Sequence, residues 1–140
     1  MKKVPASRLA TENITLLTIS PNQEDRQSLE KILDDGCWTV EGARSLREAT
    51  TVLHKRATNL ILCEKELPDG NWKDVFREAG KLDNPPPLVV VSRQADERLW
   101  AEVLNIGGYD VLLKPFERSE VCRVMGMALR FGRQGPMYAA

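Results

Sequence analysis

The chain has 140 residues, 42% hydrophobic and 29% charged, which suits one globular domain with one core. Lys and Arg number 20 and so do Asp and Glu, so bulk charge gives no case for nucleic acid or for an anionic membrane. No apolar run approaches the roughly 18 residues of a membrane span, no h-region follows Met1-Lys2-Lys3, and Cys37, Cys63 and Cys122 form neither a CxxC pair nor a secreted framework. The expected compartment is the cytoplasm, with Cys63 a buried free thiol.

Residues 1–13 mix charge with Pro5 and lack periodicity, which predicts a flexible N-terminal arm. Ile14 to Ile19, closed by Ser20-Pro21-Asn22, predicts a strand. Leu29, Ile32 and Leu33 recur at helical spacing before Gly36 and predict a first helix, Gln23 to Asp35. Trp38 to Val40 follows as a second strand. Ser45 and Glu48 have the spacing of a capping box, and Leu46, Ala49, Val52 and Leu53 give a second helix. Asn59 to Cys63 is nearly all apolar, as expected of a strand covered on both faces. Leu67-Pro68-Asp69-Gly70 predicts a turn, and Val75, Phe76 and Ala79 a third helix ending at Gly80. Leu88 to Val91 is a fourth buried strand. Arg98 to Ile106 is a fourth helix, stopped by Gly107-Gly108. Tyr109 to Leu113 is a fifth strand, Glu117 to Phe131 a fifth helix, and residues 132–140 a flexible tail.

Strand and helix thus alternate five times. Right-handed crossovers then require a parallel sheet, and the expected fold is α/β: a three-layer, five-stranded parallel sheet with five helices, flavodoxin-like (βα)5. Sites in such sheets lie at the carboxyl ends of the strands, here Thr18 to Ser20, Glu64, Ser92 and Lys114.

Three stretches carry a family resemblance. Asn59-Leu-Ile-Leu-Cys-Glu-Lys-Glu-Leu-Pro-Asp-Gly70 resembles the third strand and loop of response regulator receiver domains, the CheY-like superfamily. Val89-Val-Val-Ser92 resembles their fourth strand, and Gly107-Gly-Tyr-Asp-Val-Leu-Leu-Lys-Pro-Phe116 the stretch around their fifth. The resemblance covers roughly Ile14 to Phe131, and the expected domain is 14–131.

In that family a strand-three Asp accepts a phosphoryl group. An acidic pair after strand one holds Mg²⁺ with it, and a strand-four Ser or Thr and a strand-five Lys bind the phosphoryl oxygens. The charge of such a transfer has to be offset by a divalent ion and a cation. On this resemblance the acidic pair falls on Thr18 and Ile19, the acceptor on Glu64, the Ser on Ser92 and the Lys on Lys114. The cationic half is kept and the metal half is not, and the aromatic usually found three residues before the Lys is Val111. The resemblance therefore implies a pseudo-receiver, an interaction module of two-component signalling with a degenerate phosphoacceptor site.

Two roles for Glu64 remain open: a carboxylate imitating the phosphorylated state by reaching toward Ser92, or a strand-end residue paired with Lys114 or Lys65. The Lys114-Pro115 bond resembles one that is often cis in the family. His54 has no partner at ligand spacing, and no metal, cofactor or enzymatic motif is expected. Few residues follow Phe131, so the module is expected to dock to another chain or to come from a longer one. The expected partner is a protein of a signalling pathway, not nucleic acid or membrane. The expected surface is Leu99, Trp100, Val103, Ile106 and Val111, and a homodimer through the face of helix 4, strand 5 and helix 5 is a second use of it. Two alternatives stand beside this: a phosphorelay receiver accepting phosphate on Glu64, and a flavin-binding domain of the same fold.

Overall fold

The structure, a computed structural model, describes residues 14–33, 38–94 and 96–132. The expected arm over 1–13 and all of the expected tail beyond Gly132 lie outside the described residues, as does Cys37. The elements are β1 (Ile14–Ile19), α1 (Gln23–Ile32), β2 (Trp38–Ala43), α2 (Leu46–Lys55), β3 (Leu60–Glu64), α3 (Trp72–Ala79), β4 (Leu88–Ser92), α4 (Glu97–Ile106), β5 (Asp110–Leu113) and α5 (Arg118–Phe131). The five strands pair in parallel in the order β2-β1-β3-β4-β5. The chain starts inside the sheet, turns back once to the β2 edge, then crosses to the other side. Its helices therefore cover both faces.

Side chains along each strand point alternately to the two faces. Leu16, Leu60, Leu62, Val89, Val91 and Leu112 pack with Leu29 of α1 and with Val121, Val124 and Met125 of α5. Leu17, Ile19, Ile61, Cys63, Val90 and Val111 pack with residues of α2, α3 and α4. Because both faces are covered, β3 and β4 read as unbroken apolar runs.

The predicted turn after β3 is a small antiparallel ribbon, in which Glu66 and Leu67 pair with Asn71 and Gly70. Its Asp69 carboxylate accepts the N–H groups of Leu46 at 2.8 Å and Arg47 at 3.0 Å, fastening the loop to the start of α2. Ser45 caps α2 through Glu48 N–H, and Glu48 reaches back to the N–H of Arg44 rather than of Ser45. Asn71 and Asp74 form a complete capping box on α3.

Helix α4 corrects part of the expected docking surface. Leu99, Val103 and, from β5, Val111 belong to the core beneath α2, α3 and α4. A helix with apolar residues on two sides can press only one onto the sheet, and the Leu99–Val103 pair, one turn apart, is that side. Trp100 and Ile106 point outward, 50% and 40% exposed, and Leu113 of β5, outside the expected set, is 51% exposed. Gly107 stops α4 at φ 127°, and a Cβ there would stand 2.6 Å from Phe76 Cζ.

Candidate functional site

Glu64 is the last residue of β3, and Lys114 follows the last residue of β5. The Lys114 N–H donates to the Ser92 carbonyl at 3.0 Å, which fixes where its side chain starts. That side chain turns back across the strand ends, donates to the Glu64 carboxylate, and continues to Asp25 Oδ2 at 2.7 Å. Asp25 lies in the first turn of α1, where the helix dipole also favours a carboxylate. The three side chains are largely covered: Lys114 is 7% exposed, Asp25 14% and Glu64 16%.

From β1, the residue that meets Glu64 is Ser20. The register pairs Ile19 with Cys63, so Ser20 stands level with Glu64. Its hydroxyl accepts the Asn22 N–H at 3.0 Å and donates to Glu64 Oε2 over a longer 3.5 Å. Thr18 and Ile19, the expected members of the site, are both buried within the strand, and Ile19 packs into the core toward α2, α3 and α4. Ser92 does not join the cluster with its hydroxyl. That group donates to the Gln94 carbonyl at 2.9 Å and accepts the Gln94 N–H at 3.2 Å, so it serves its own loop. Of the five expected positions, only Glu64 and Lys114 come together; Asp25 and Ser20 complete the cluster.

Burial pushes the Glu64 carboxyl up, its bond to Lys114 works against this, the nearby Asp25 carboxylate adds to the rise, and the outcome is upward. Burial by itself disfavours the Lys114 ammonium, but Asp25 and Glu64 outweigh it, and its pKa rises. The lysine is thus a firmly charged group held by two internal acceptors.

The Mg²⁺ that the resemblance implies does not fit these residues. Mg²⁺ takes hard oxygen ligands in near-octahedral array. The end of β1 offers an apolar side chain and a hydroxyl, and both carboxylates are engaged by the ammonium between them. Among the described residues no three acidic, His or Cys side chains group as a metal site. The Lys114–Pro115 peptide is cis. His54 is exposed on α2.

A second feature lies on the other side of β5. Asp96, Glu97, Trp100, Val111, Leu113 and Glu120 line an open groove of about 320 Å³ between the start of α4, the end of β5 and the start of α5.

Comparison with known proteins agrees with this architecture. A family model described as "Response regulator receiver domain" matches residues 17–125. The chain is 30% identical over 102 residues to "Probable transcriptional regulatory protein y4xI" of Sinorhizobium fredii, covering 73% of this chain and 45% of that protein. It is 25% identical over 101 residues to the chemotaxis protein CheY of Thermotoga maritima, covering 71% of this chain and 84% of CheY. The chain thus spans less than half of y4xI, and only 26% of the Pseudomonas aeruginosa response regulator protein PilR, to which it is 24% identical. Among solved structures, a CheY-like receiver domain protein from Methanospirillum hungatei superposes with a TM-score of 0.76 at 20% identity, covering 88% of this chain and 98% of that one. The chemotaxis response regulator CheY4 of Vibrio cholerae does so with a TM-score of 0.76 at 18% identity, covering 84% and 100%. These two likenesses speak for the fold, while the match over residues 17–125 carries the family. The chain belongs to the response regulator receiver domain family.

Proposed function

We propose that this receiver domain does not accept a phosphoryl group and acts in two-component signalling by docking to a protein partner through the exposed side of α4 and β5. The observation that carries the first half is the Lys114 bridge. The cation that would meet a phosphoryl oxygen is bonded to both Glu64 and Asp25, and the end of β1 supplies Ser20 where a metal site needs a carboxylate. Glu64 reaches Lys114 and Ser20, and the Ser92 hydroxyl faces Gln94. That arrangement supports a structural ion pair over a carboxylate that imitates phosphate, and it disfavours an acceptor role for Glu64. Exposed Trp100, Ile106 and Leu113 support the second half, because interface energy concentrates in a few large side chains and Trp is favoured among them. A homodimer is the other use of the same face. No helix among the described residues is long and apolar enough to cross a membrane. Incubation with acetyl phosphate and Mg²⁺, followed by intact-mass analysis, is expected to give no adduct. A stable Mg²⁺-dependent adduct on Glu64 would reverse the first half of the proposal.

A further inference from the structure

We propose that the groove between α4 and β5 receives a cationic amphipathic segment of a partner protein, with an arginine or lysine stacked on Trp100 and an aliphatic side chain seated on Leu113. This rests on the docking reading above and adds the chemistry of the occupant. The groove holds a few side chains, at about 320 Å³, and three of its six lining residues are acidic and none basic. A fourth carboxylate, Asp110, is half-buried and close enough to Trp100 and Glu120 to interact with both. Of the three lining carboxylates, Glu120 alone has an ion-pair partner among the described residues, Arg123 at 2.7 Å. Asp96 caps α4 by accepting the Leu99 N–H at 2.9 Å, and neither it nor Glu97 makes an ion pair among the described residues. Among the described residues the groove lining thus carries three carboxylates, with Asp110 near by, and no basic side chain around an exposed indole.

This imbalance selects the occupant. An apolar segment would cover these carboxylates with nothing to offset their lost hydration. An acidic one would add like-charge repulsion. A guanidinium or ammonium gains from the carboxylates and from the face of the indole together.

The test titrates the full ¹⁵N-labelled chain with a synthetic helical peptide of Leu and Lys, and with its counterpart carrying Glu for Lys. The Lys peptide should shift the Trp100 indole and Leu113 amide signals saturably, and more weakly as salt is raised. Glu97→Lys and Trp100→Ala, each checked for native circular dichroism, should each weaken binding by about tenfold or more. The Glu peptide should leave both signals in place. An equal response to the Glu peptide, unchanged affinity in Glu97→Lys, or shifts confined to other surfaces would overturn the proposal. So would self-association in sedimentation equilibrium that Trp100→Ala abolishes, since a second copy would then occupy the groove. Absent peptide binding with no phospho-adduct removes this inference and leaves the phosphorylation reading standing. A phospho-adduct with intact peptide binding does the reverse.

Discussion

Replacing Lys114 by Met tests what the ion cluster contributes. The methionine keeps most of the side-chain volume and removes the charge shared by Glu64 and Asp25. Two carboxylates then face each other without their cation, under cover that leaves them only 14% and 16% exposed. Removing one partner of a fully buried ion pair costs roughly 3–5 kcal/mol. The cluster sits at the rim of the sheet, where water can relieve part of this, so the expected loss is about 2–4 kcal/mol. For a domain of this size that lowers the thermal midpoint by about 10 °C. Urea unfolding followed by circular dichroism would measure it, with an unchanged slope showing that the folded state is otherwise intact. The sign of the pH dependence is fixed as well. Glu64 titrates above its ordinary value of 4.5 already, and losing Lys114 removes what holds it down. As pH falls through that raised value the carboxyl takes up a proton and the repulsion fades, so the penalty of Lys114→Met should shrink toward acid. A loss under about 0.5 kcal/mol at pH 7, the size expected of an exposed pair, would refute this reasoning.

Other consequences follow from individual contacts. Trp72 is 1% exposed and Trp100 50%, so Trp72→Ala should cost about 3–5 kcal/mol and Trp100→Ala less than about 0.5 kcal/mol in the same urea titrations. Gly107→Ala combines a φ of 127° with a Cβ 2.6 Å from Phe76 and should destabilise by at least about 2 kcal/mol, measured the same way. The Asp69 carboxyl is held below its ordinary 3.8, chiefly by the Leu46 N–H. A lowered folded pKa stabilises above the ordinary value and is lost as pH falls through the folded one, so Asp69→Asn should lower the midpoint at pH 7 and match the parent in strong acid. Titration with Mg²⁺ near neutral pH should give no saturable sub-millimolar change in tryptophan fluorescence, and one abolished by Glu64→Gln would contradict the account of the site.

Much of this was legible along the chain because the physics is local. Period-two and period-3.6 apolar patterns, with Gly80 and Gly107 as stops, mark all five strand–helix units, and buried parallel strands announce themselves as apolar runs; the expected stop of the first helix at Gly36 lies outside the described residues. Glu64 and Lys114 were legible because Glu64 ends one strand and Lys114 directly follows another. Asp25 was not: it lies 89 residues from Lys114 in sequence, and within α1 it looks like any solvated acid. Only the docking of the first turn of that helix brings it over the strand ends. Ser20 was named only as the end of the stretch Thr18 to Ser20, with the acidic-pair positions laid on Thr18 and Ile19, and the reason is different. One residue of register moves a side chain to the opposite face of a sheet, and nothing in Thr18-Ile19-Ser20 marks which residue leaves it. The α4 surface was half legible for a related reason. Leu99, Trp100, Val103 and Ile106 are all apolar, and it is packing against β4 and β5 that separates Leu99 and Val103 from the other two.

The most direct test of the central claim compares the native chain with Glu64→Asp and with the double variant Ser20→Asp, Glu64→Asp, each checked for native circular dichroism, incubated with acetyl phosphate and Mg²⁺ and weighed intact. The account predicts no phosphoryl adduct on the native chain or on Glu64→Asp, since neither gains a carboxylate at the end of β1 to hold the metal. It predicts adduct on the double variant alone, where the end of β1 gains a carboxylate beside position 64 to hold Mg²⁺ and Lys114 is freed to meet the phosphoryl oxygens. A Mg²⁺-dependent adduct on the native chain, mapped to Glu64, would contradict it.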